Sequence, residues 1–161
     1  MYINTVDNAD KVIGSIDRHD ALTAGVNFRV VHVFLFDASG SLLLQQIPNG
    51  KRHGGYWGSS VAGYVEFNED YDAAASRRVF QEMGCSIALR FIGKSEMLDG
   101  KAKKFIALYK ALLTSSISPN PAEIAAVEFV QPNQIAAEIQ SGRRLYTPTF
   151  RHIFQQMPWQ R

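Results

Sequence analysis

The segment formed by residues 63–85 constrains the fold of this chain most strongly. A short strand is predicted over residues 59–65, and a helix is predicted from residue 69 to residue 83. Four apolar residues recur at helical spacing and predict a buried helix face: Ala75, Val79, Phe80 and Met83. Gly84 follows as a C-cap glycine would. The sequence therefore predicts a strand, a loop and a helix in this order.

The polar residues of this segment favour a site for a phosphate or a metal ion. The loop carries acidic side chains into the helix start, where the helix dipole favours them: Glu66, Glu69 and Asp70. Asn68 suits a left-handed turn. One helix face presents Arg78, Gln81 and Glu82 at spacings of three and four residues. The alternative is a solvated helix surface with an exposed Arg78–Glu82 pair, which contributes little to stability.

The rest of the chain predicts one mixed α/β (α+β) layered domain over residues 1–161. Further strands are predicted over residues 2–6, 11–16, 29–36, 41–46, 87–97, 103–113 and 127–130. Residues 18–27 are predicted to be irregular. Helices are predicted over residues 132–140 and 148–156, the second with Thr147 as its N-cap.

Composition indicates an ordinary globular protein. Of the 161 residues, 46% are hydrophobic and 20% are charged, and the net charge of +2 predicts neither nucleic-acid binding nor a membrane surface. Cys85 is the only cysteine, which excludes an intrachain disulfide and a cysteine-rich zinc site. We expect a cytoplasmic protein without a signal peptide or membrane span. The oligomeric state stays open.

The segment of residues 63–85 resembles the Nudix box, G-x5-E-x7-R-E-U-x-E-E-x-G-U, where U is an aliphatic residue. The matching residues are Gly63, Glu69, Arg77, Val79, Glu82 and Gly84, with Cys85 at the last aliphatic position. The resemblance implies a Nudix fold, in which a mixed β-sheet is sandwiched between α-helices. It assigns architectural roles to Gly63, Glu69, Arg77 and Gly84, with an ion pair between Glu69 and Arg77.

The family's activity is also implied by the resemblance. We expect a phosphohydrolase that cleaves a nucleoside diphosphate linked to another group, or a related small-molecule diphosphate, with Mg²⁺ or Mn²⁺. Glu82 would be the catalytic residue, and Glu82, Gly63 and Gln81 would contact the metal ion. The alternative is a non-catalytic Nudix-fold module that binds a nucleotide or a phosphorylated metabolite.

Two positions depart from the box, because Arg78 and Gln81 stand where the family has glutamates that bind magnesium. Magnesium favours carboxylate oxygens and water, so each change removes an anionic ligand. The Arg78 guanidinium would repel each unit of positive charge at ~4 Å by roughly 4 kcal/mol at an effective dielectric near 20. We therefore expect weak or absent metal binding, with Arg78 able to contact substrate phosphate instead.

The chain outside the box resembles the Nudix branch that contains isopentenyl diphosphate isomerases. Cations at matching positions imply that Arg29 and Lys51 could bind a diphosphate, although the alternative, that both are ordinary solvated surface residues, is favoured. The isomerases use a cysteine and histidines near the strand before the box, whereas this chain has no thiol at residues 59–64 and has Tyr64 in place of a histidine. Hydrolase-like relatives of the isomerases match more closely.

Three further residues each have two interpretations. Trp57 lines the pocket or packs in the core, with core packing favoured. His32 lies in an apolar strand and is a hydrogen-bonded core histidine or a catalytic residue, with the first favoured. Glu123 supplies a base from a loop or is an exposed loop acid, with the second favoured.

Overall fold

The computed structural model describes residues 1–156 and contains nine strands and four helices in that range. The elements are β1 (Tyr2–Val6), β2 (Val12–Asp17), α1 (Arg18–Ala24), β3 (Asn27–Phe36), β4 (Leu42–Gln46), β5 (Trp57–Gly58), β6 (Val61–Tyr64), α2 (Tyr71–Met83), β7 (Arg90–Asp99), β8 (Ala102–Leu112), β9 (Ala126–Val130), α3 (Pro132–Ser141) and α4 (Pro148–Gln156). The predicted mixed α/β (α+β) fold is confirmed.

Strand β3 organises the sheet. It runs parallel to β8 along its length, from the pair Phe28–Lys104 to the pair Phe36–Leu112. On its other side it pairs antiparallel with β1, β6 and β4 in succession. The β3–β6 register places Gly63 opposite Val31. The glycine of the box therefore lies beside the centre of the sheet.

Helices cover both faces of this sheet. Alternating β3 side chains enter two separate cores: Val31 and Val33 point to the face that packs against α2. Phe28 and Phe34 point to the opposite face, which α1, α3 and α4 cover. The predicted sandwich of a mixed sheet between helices is confirmed, and α2 is positioned beside the end of β6.

The prediction that residues 18–27 are irregular is wrong, because α1 lies there. The Asp17 side chain accepts a hydrogen bond from the His19 N–H and caps the helix start, and Gly25 ends the helix with a φ of 69°. Among the seven helical residues, Ala21 is the one that is fully buried. Such a helix shows almost no apolar periodicity, which is why the pattern failed to indicate it.

The predicted apolar face of α2 is wrong at Phe80, which is 64% exposed. The remaining three residues of that face are buried as predicted: Ala75, Val79 and Met83. The predicted strand over residues 87–97 begins later, at Arg90. Thr147 caps α4 as predicted, because its Oγ1 accepts from the Phe150 N–H at 3.2 Å. None of the helices described is long and apolar enough to cross a membrane.

Candidate functional site

The loop between β6 and α2 is held by one arginine. Arg77 donates to both carboxylate oxygens of Glu69, at 2.7 and 2.9 Å, and to the Tyr64 carbonyl at 3.0 Å. Asn68 adopts the left-handed conformation with a φ of 67°, and the Asp70 side chain caps α2 through the Ala73 N–H. The loop and the helix start are thus fixed relative to the end of β6.

Arg78 lies at the centre of the site. Its guanidinium bonds Glu82 Oε2 through Nε at 3.0 Å and through Nη2 at 2.8 Å, and bonds Gln81 Oε1 through Nη1 at 3.0 Å. Glu123 Oε2 lies 3.6 Å from Nη2. A methyl group at Gly63 would overlap Arg78 Nε and approach Cδ to 2.7 Å. The missing side chain at Gly63 therefore makes the room that the guanidinium fills.

Glu82 is buried beneath this guanidinium, with its side chain 2% exposed. The amide of Gln45 donates to its second oxygen, Oε1, at 2.5 Å. Burial raises the pKa of Glu82, while the charge of Arg78 and the bonds from Gln45 and Arg78 oppose that rise. The alternative interpretation, an exposed Arg78–Glu82 pair on a solvated helix surface, is wrong, because the Arg78 side chain is only 15% exposed.

The residues expected to hold Mg²⁺ or Mn²⁺ do not fit a divalent ion in this arrangement. Gly63, Gln81 and Glu82 surround a guanidinium, and both Glu82 oxygens already accept hydrogen bonds. Within residues 1–156, no group of three or more His, Cys, Asp or Glu side chains is placed to hold a metal ion. A permanent cation therefore occupies the position that the resemblance assigns to the metal.

An open cleft of about 510 Å³ borders Arg78. Its lining residues come from the chain start, α1, the box and the loop before β9: Met1, Arg18, Glu66, Arg77, Arg78, Phe80, Gln81, Asn120 and Glu123. Arg18 is half-buried and forms no ion pair with any carboxylate of residues 1–156. Sequence reasoning missed Arg18, since no motif marks it.

Lys51, on the glycine-rich loop, contacts Glu123, which is one of the residues that line the cleft. Its ammonium lies 3.7 Å from Glu123 Oε2 and donates to the Ala122 carbonyl at 3.3 Å. Glu123 thus stands between two cations, Lys51 and Arg78, with its side chain 38% exposed. Lys51, Arg78 and Glu123, which come from three different segments, meet at one point.

Arg29 lies elsewhere. It forms an ion pair with Asp10, at 2.7 Å, and its guanidinium stacks on the Tyr71 ring at 4.8 Å. Tyr71 begins α2, whereas Glu82 lies eleven residues later, about 16 Å along a helix. Arg29 therefore contacts the start of α2 and does not line the cleft beside Arg78.

Tyr64, which stands where the isomerases have a histidine, and the neighbouring His32 and Trp57 are engaged in packing and hydrogen bonds. Tyr64 packs against Phe28, with ring centroids 5.6 Å apart, and burial raises the pKa of its hydroxyl. Nδ1 of His32 lies 2.7 Å from the Ser59 hydroxyl, and burial lowers the pKa of His32 to about 3. His32 is thus a neutral, hydrogen-bonded core residue, as predicted. Trp57 packs against the core and under Arg144, whose guanidinium lies 4.8 Å from its ring.

A larger groove of about 1540 Å³ lies between α3, α4 and the ends of β3, β7 and β8. No residue of the box lines it. Within residues 1–156, its cations Arg90 and Arg151 form no ion pair with a carboxylate, whereas Arg78 is paired with the buried Glu82. We therefore place the site at the smaller cleft.

Comparison with known proteins identifies the family of this chain. A family model described as NUDIX domain matches residues 26–150. An isopentenyl-diphosphate Delta-isomerase from Streptomyces coelicolor is 31% identical over 144 residues, which cover 84% of this chain and 73% of that protein. One from Halorhodospira halophila is 29% identical over 98% of this chain and 95% of its own length.

Solved structures resemble the fold at lower identity. DR0079 from Deinococcus radiodurans superposes with a TM-score of 0.81 at 24% identity, covering 97% of this chain and 98% of its own. The NUDIX domain of Shewanella oneidensis NrtR, solved with ADP ribose, gives 0.65 at 13% identity over 88% and 96%. The match over most of the chain, together with the Glu69–Arg77 loop and the glycine-ended α2, shows that this chain belongs to the Nudix family.

Proposed function

We propose that this protein hydrolyses a nucleoside diphosphate linked to another group, or a related diphosphate, in the cleft beside Arg78. The observation that carries the proposal is the meeting of Arg78 and Lys51 at the Glu123 carboxylate, at 3.6 and 3.7 Å. Cations that share one exposed carboxylate can exchange it for a phosphate oxygen, which carries a similar charge. Arg18, which forms no ion pair with a carboxylate of residues 1–156, adds a third cation beside this cleft.

The arrangement suggests how hydrolysis would proceed through this chain's own residues. The diphosphate would displace Glu123 from Lys51 and Arg78, and those cations would stabilise charge that develops on the phosphoryl oxygens. A water oxygen attacks one phosphorus, the bridging P–O bond breaks, and the leaving phosphate keeps the bonding electron pair. Glu123 would accept the proton of the attacking water. Glu82, our expected catalytic residue, is less suited because it is buried and both its oxygens are engaged.

The named relatives would suggest isomerisation of isopentenyl diphosphate instead. Residue 62 is alanine and residue 64 is a half-buried tyrosine, so β6 offers neither a thiol nor an imidazole. The hydroxyl of Tyr64 has a raised pKa and stays protonated at neutral pH. These residues favour hydrolysis over isomerisation.

A second candidate is a binding module without turnover. It is favoured by the engagement of both Glu82 oxygens and by the guanidinium at the expected ion position. Such a module would use the same cations to bind a nucleotide or phosphorylated metabolite.

One assay separates these functions. The protein is incubated with isopentenyl diphosphate and with a panel of nucleoside diphosphate derivatives that includes ADP ribose, which the NrtR domain was solved with. Phosphate and nucleotide products are then quantified. We expect hydrolysis of at least one derivative and a loss of kcat of about 100-fold or more in Glu123→Gln. The control is Glu96→Gln, an exposed acid on β7.

Each outcome decides between the functions. No turnover across the panel, with ligand-induced thermal stabilisation intact, would support the binding module and overturn the hydrolase. An isomerised allylic diphosphate would overturn both.

A further inference from the structure

Gln45 belongs to no motif, yet it contacts the centre of the site. It lies near the end of β4, is 9% exposed and follows three fully buried leucines. Its Nε2 donates to Glu82 Oε1 at 2.5 Å and to the Ser60 carbonyl at 2.8 Å. A buried amide is costly unless both its hydrogens are bonded, and here both are.

The groups around Gln45 are fixed in turn. The Ser60 hydroxyl donates to the Leu43 carbonyl at 2.5 Å and accepts from the Leu35 N–H at 2.9 Å. These bonds tie β3, β4 and the strand before the box together. Gln45 therefore presents its amide to Glu82 from a rigid framework rather than from a mobile loop.

The two oxygens of the Glu82 carboxylate accept hydrogen bonds from different residues, and this arrangement fixes Arg78. Oε1 accepts from Gln45, so the carboxylate plane cannot turn, and Oε2 accepts from both Nε and Nη2 of Arg78. A guanidinium has five N–H donors in a rigid plane. With one edge held by Glu82, its remaining donors face Gln81 and Glu123 at the cleft.

We infer that Gln45 is a positioning residue, which fixes Glu82 and through it holds Arg78 as a permanent cation at which a diphosphate binds without a divalent ion. The inference rests on the proposed diphosphate-binding function. It adds a residue outside the box and states that the binding step needs no metal. The guanidinium supplies the charge and the directed donors that a bound ion would otherwise supply.

Gln46 offers a matched control on the same strand. It is half-buried and donates to the Gly55 carbonyl at 3.1 Å, away from Glu82. Methionine keeps the length of glutamine and removes the amide. Gln45→Met and Gln46→Met therefore each lose one buried or half-buried amide from β4, and only the first breaks the contact with Glu82.

The test is calorimetric titration of methylenediphosphonate, a diphosphate analogue that is not hydrolysed, with EDTA and then with Mn²⁺. We expect the wild type to bind in EDTA, with an affinity that Mn²⁺ changes by less than about threefold. Gln45→Met should weaken binding by about 10-fold or more, and Gln46→Met by less than about threefold. Gln45→Met should also shift the ¹⁵N resonance of Arg78 Nε and speed the exchange of its proton with water. If Gln45 only stabilises the fold, neither quantity should change.

The outcomes separate the inference from the function on which it rests. Binding by the wild type that EDTA abolishes would overturn metal-free binding, and equal effects of the two methionine variants would overturn the role of Gln45. If the wild type binds the analogue in neither condition, the proposed function fails and the inference fails with it. Should Gln45→Met not fold, Gln45→Asn, which keeps the amide but withdraws it from Glu82 by one methylene, is compared with Gln46→Asn, and equal effects of these two variants would likewise overturn the role of Gln45.

Discussion

At the scale of single residues, the departures from the box determine the character of the site. The sequence predicts that Arg78 would repel an ion, because its charge stands where the family has a carboxylate. It does not show that the guanidinium itself fills the space over Gly63 or that Glu82 is buried beneath it. Gln45 could not be predicted, since it meets Glu82 across 37 residues through tertiary packing alone.

His32 provides a residue-scale prediction about pH. Its pKa is about 3 in the folded protein, below the ordinary value of 6.5, chiefly because burial disfavours the charged ring. The unfolded chain therefore takes up the proton first, and the free energy of unfolding falls as pH drops from 6.5 towards 3. Between pH 7 and pH 5 this loss amounts to about 2 kcal/mol.

Urea unfolding of the wild type and His32→Gln at both pH values measures this effect. The wild type should lose about 2 kcal/mol more than the variant on going to pH 5. Equal losses would show that His32 does not resist protonation in the folded protein.

At the scale of elements, the sequence predicts structures that depend on residues close together in the chain, but not structures that depend on tertiary packing. The strand, loop and helix of the box follow from spacing, because Arg77 meets Glu69 only eight residues away and Gly84 ends the helix locally. Helix α1 was missed because it buries so little apolar surface. The expected roles of Arg29 and Lys51 stay predictions, although tertiary pairing brings only Lys51 to a residue that lines the cleft.

Gly63 provides the prediction for the contact between β6 and α2. Alanine there would bring its methyl into the Arg78 side chain, so the guanidinium must leave its position between Gly63 and Glu82. We expect Gly63→Ala to weaken binding of methylenediphosphonate by about 10-fold and to lower the free energy of unfolding by about 1–2 kcal/mol. Calorimetry and urea unfolding measure the two effects.

Gly93 is the matched control, because it also lies in a strand and a methyl group there would meet no atom within 4 Å. Gly93→Ala should leave the binding unchanged. If Gly63→Ala binds the analogue as the wild type does, Arg78 does not depend on the space at Gly63.

At the scale of the whole molecule, one buried acid joins the turn between β1 and β2 to three other elements. Asp10, with its side chain 3% exposed, pairs with Arg29 on β3 and Lys94 on β7, and accepts from the Tyr71 hydroxyl at the start of α2. It adopts a left-handed φ of 61° in the turn between β1 and β2. The sequence marks that turn, but it does not show that the turn residue binds three distant side chains.

Asp10→Asn should therefore destabilise the protein by about 3 kcal/mol at pH 7, because it leaves buried partners of a carboxylate uncompensated. Burial alone would raise the pKa of Asp10, but hydrogen bonds from Lys94, Arg29 and Tyr71 lower it below its usual value of 3.8. The contribution is present above pH 3.8 and is lost as pH falls through the lowered folded value.

Urea unfolding at pH 7 and pH 3 checks both statements, with the exposed Asp20→Asn as the control. The difference between the wild type and Asp10→Asn should shrink at pH 3. A difference below about 0.5 kcal/mol at pH 7 would contradict the linking role of Asp10.

The central claim is that a guanidinium stands where a divalent ion would otherwise bind. Titration of Mn²⁺, followed by the electron paramagnetic resonance of the free ion, measures it directly in the wild type, Gln81→Glu and the double variant Arg78→Glu/Gln81→Glu. The account predicts that the double variant binds Mn²⁺ at least about 10-fold more tightly than the wild type, while Gln81→Glu alone gains little because Arg78 stays in place. Equal Mn²⁺ affinity in the wild type and the double variant would contradict it.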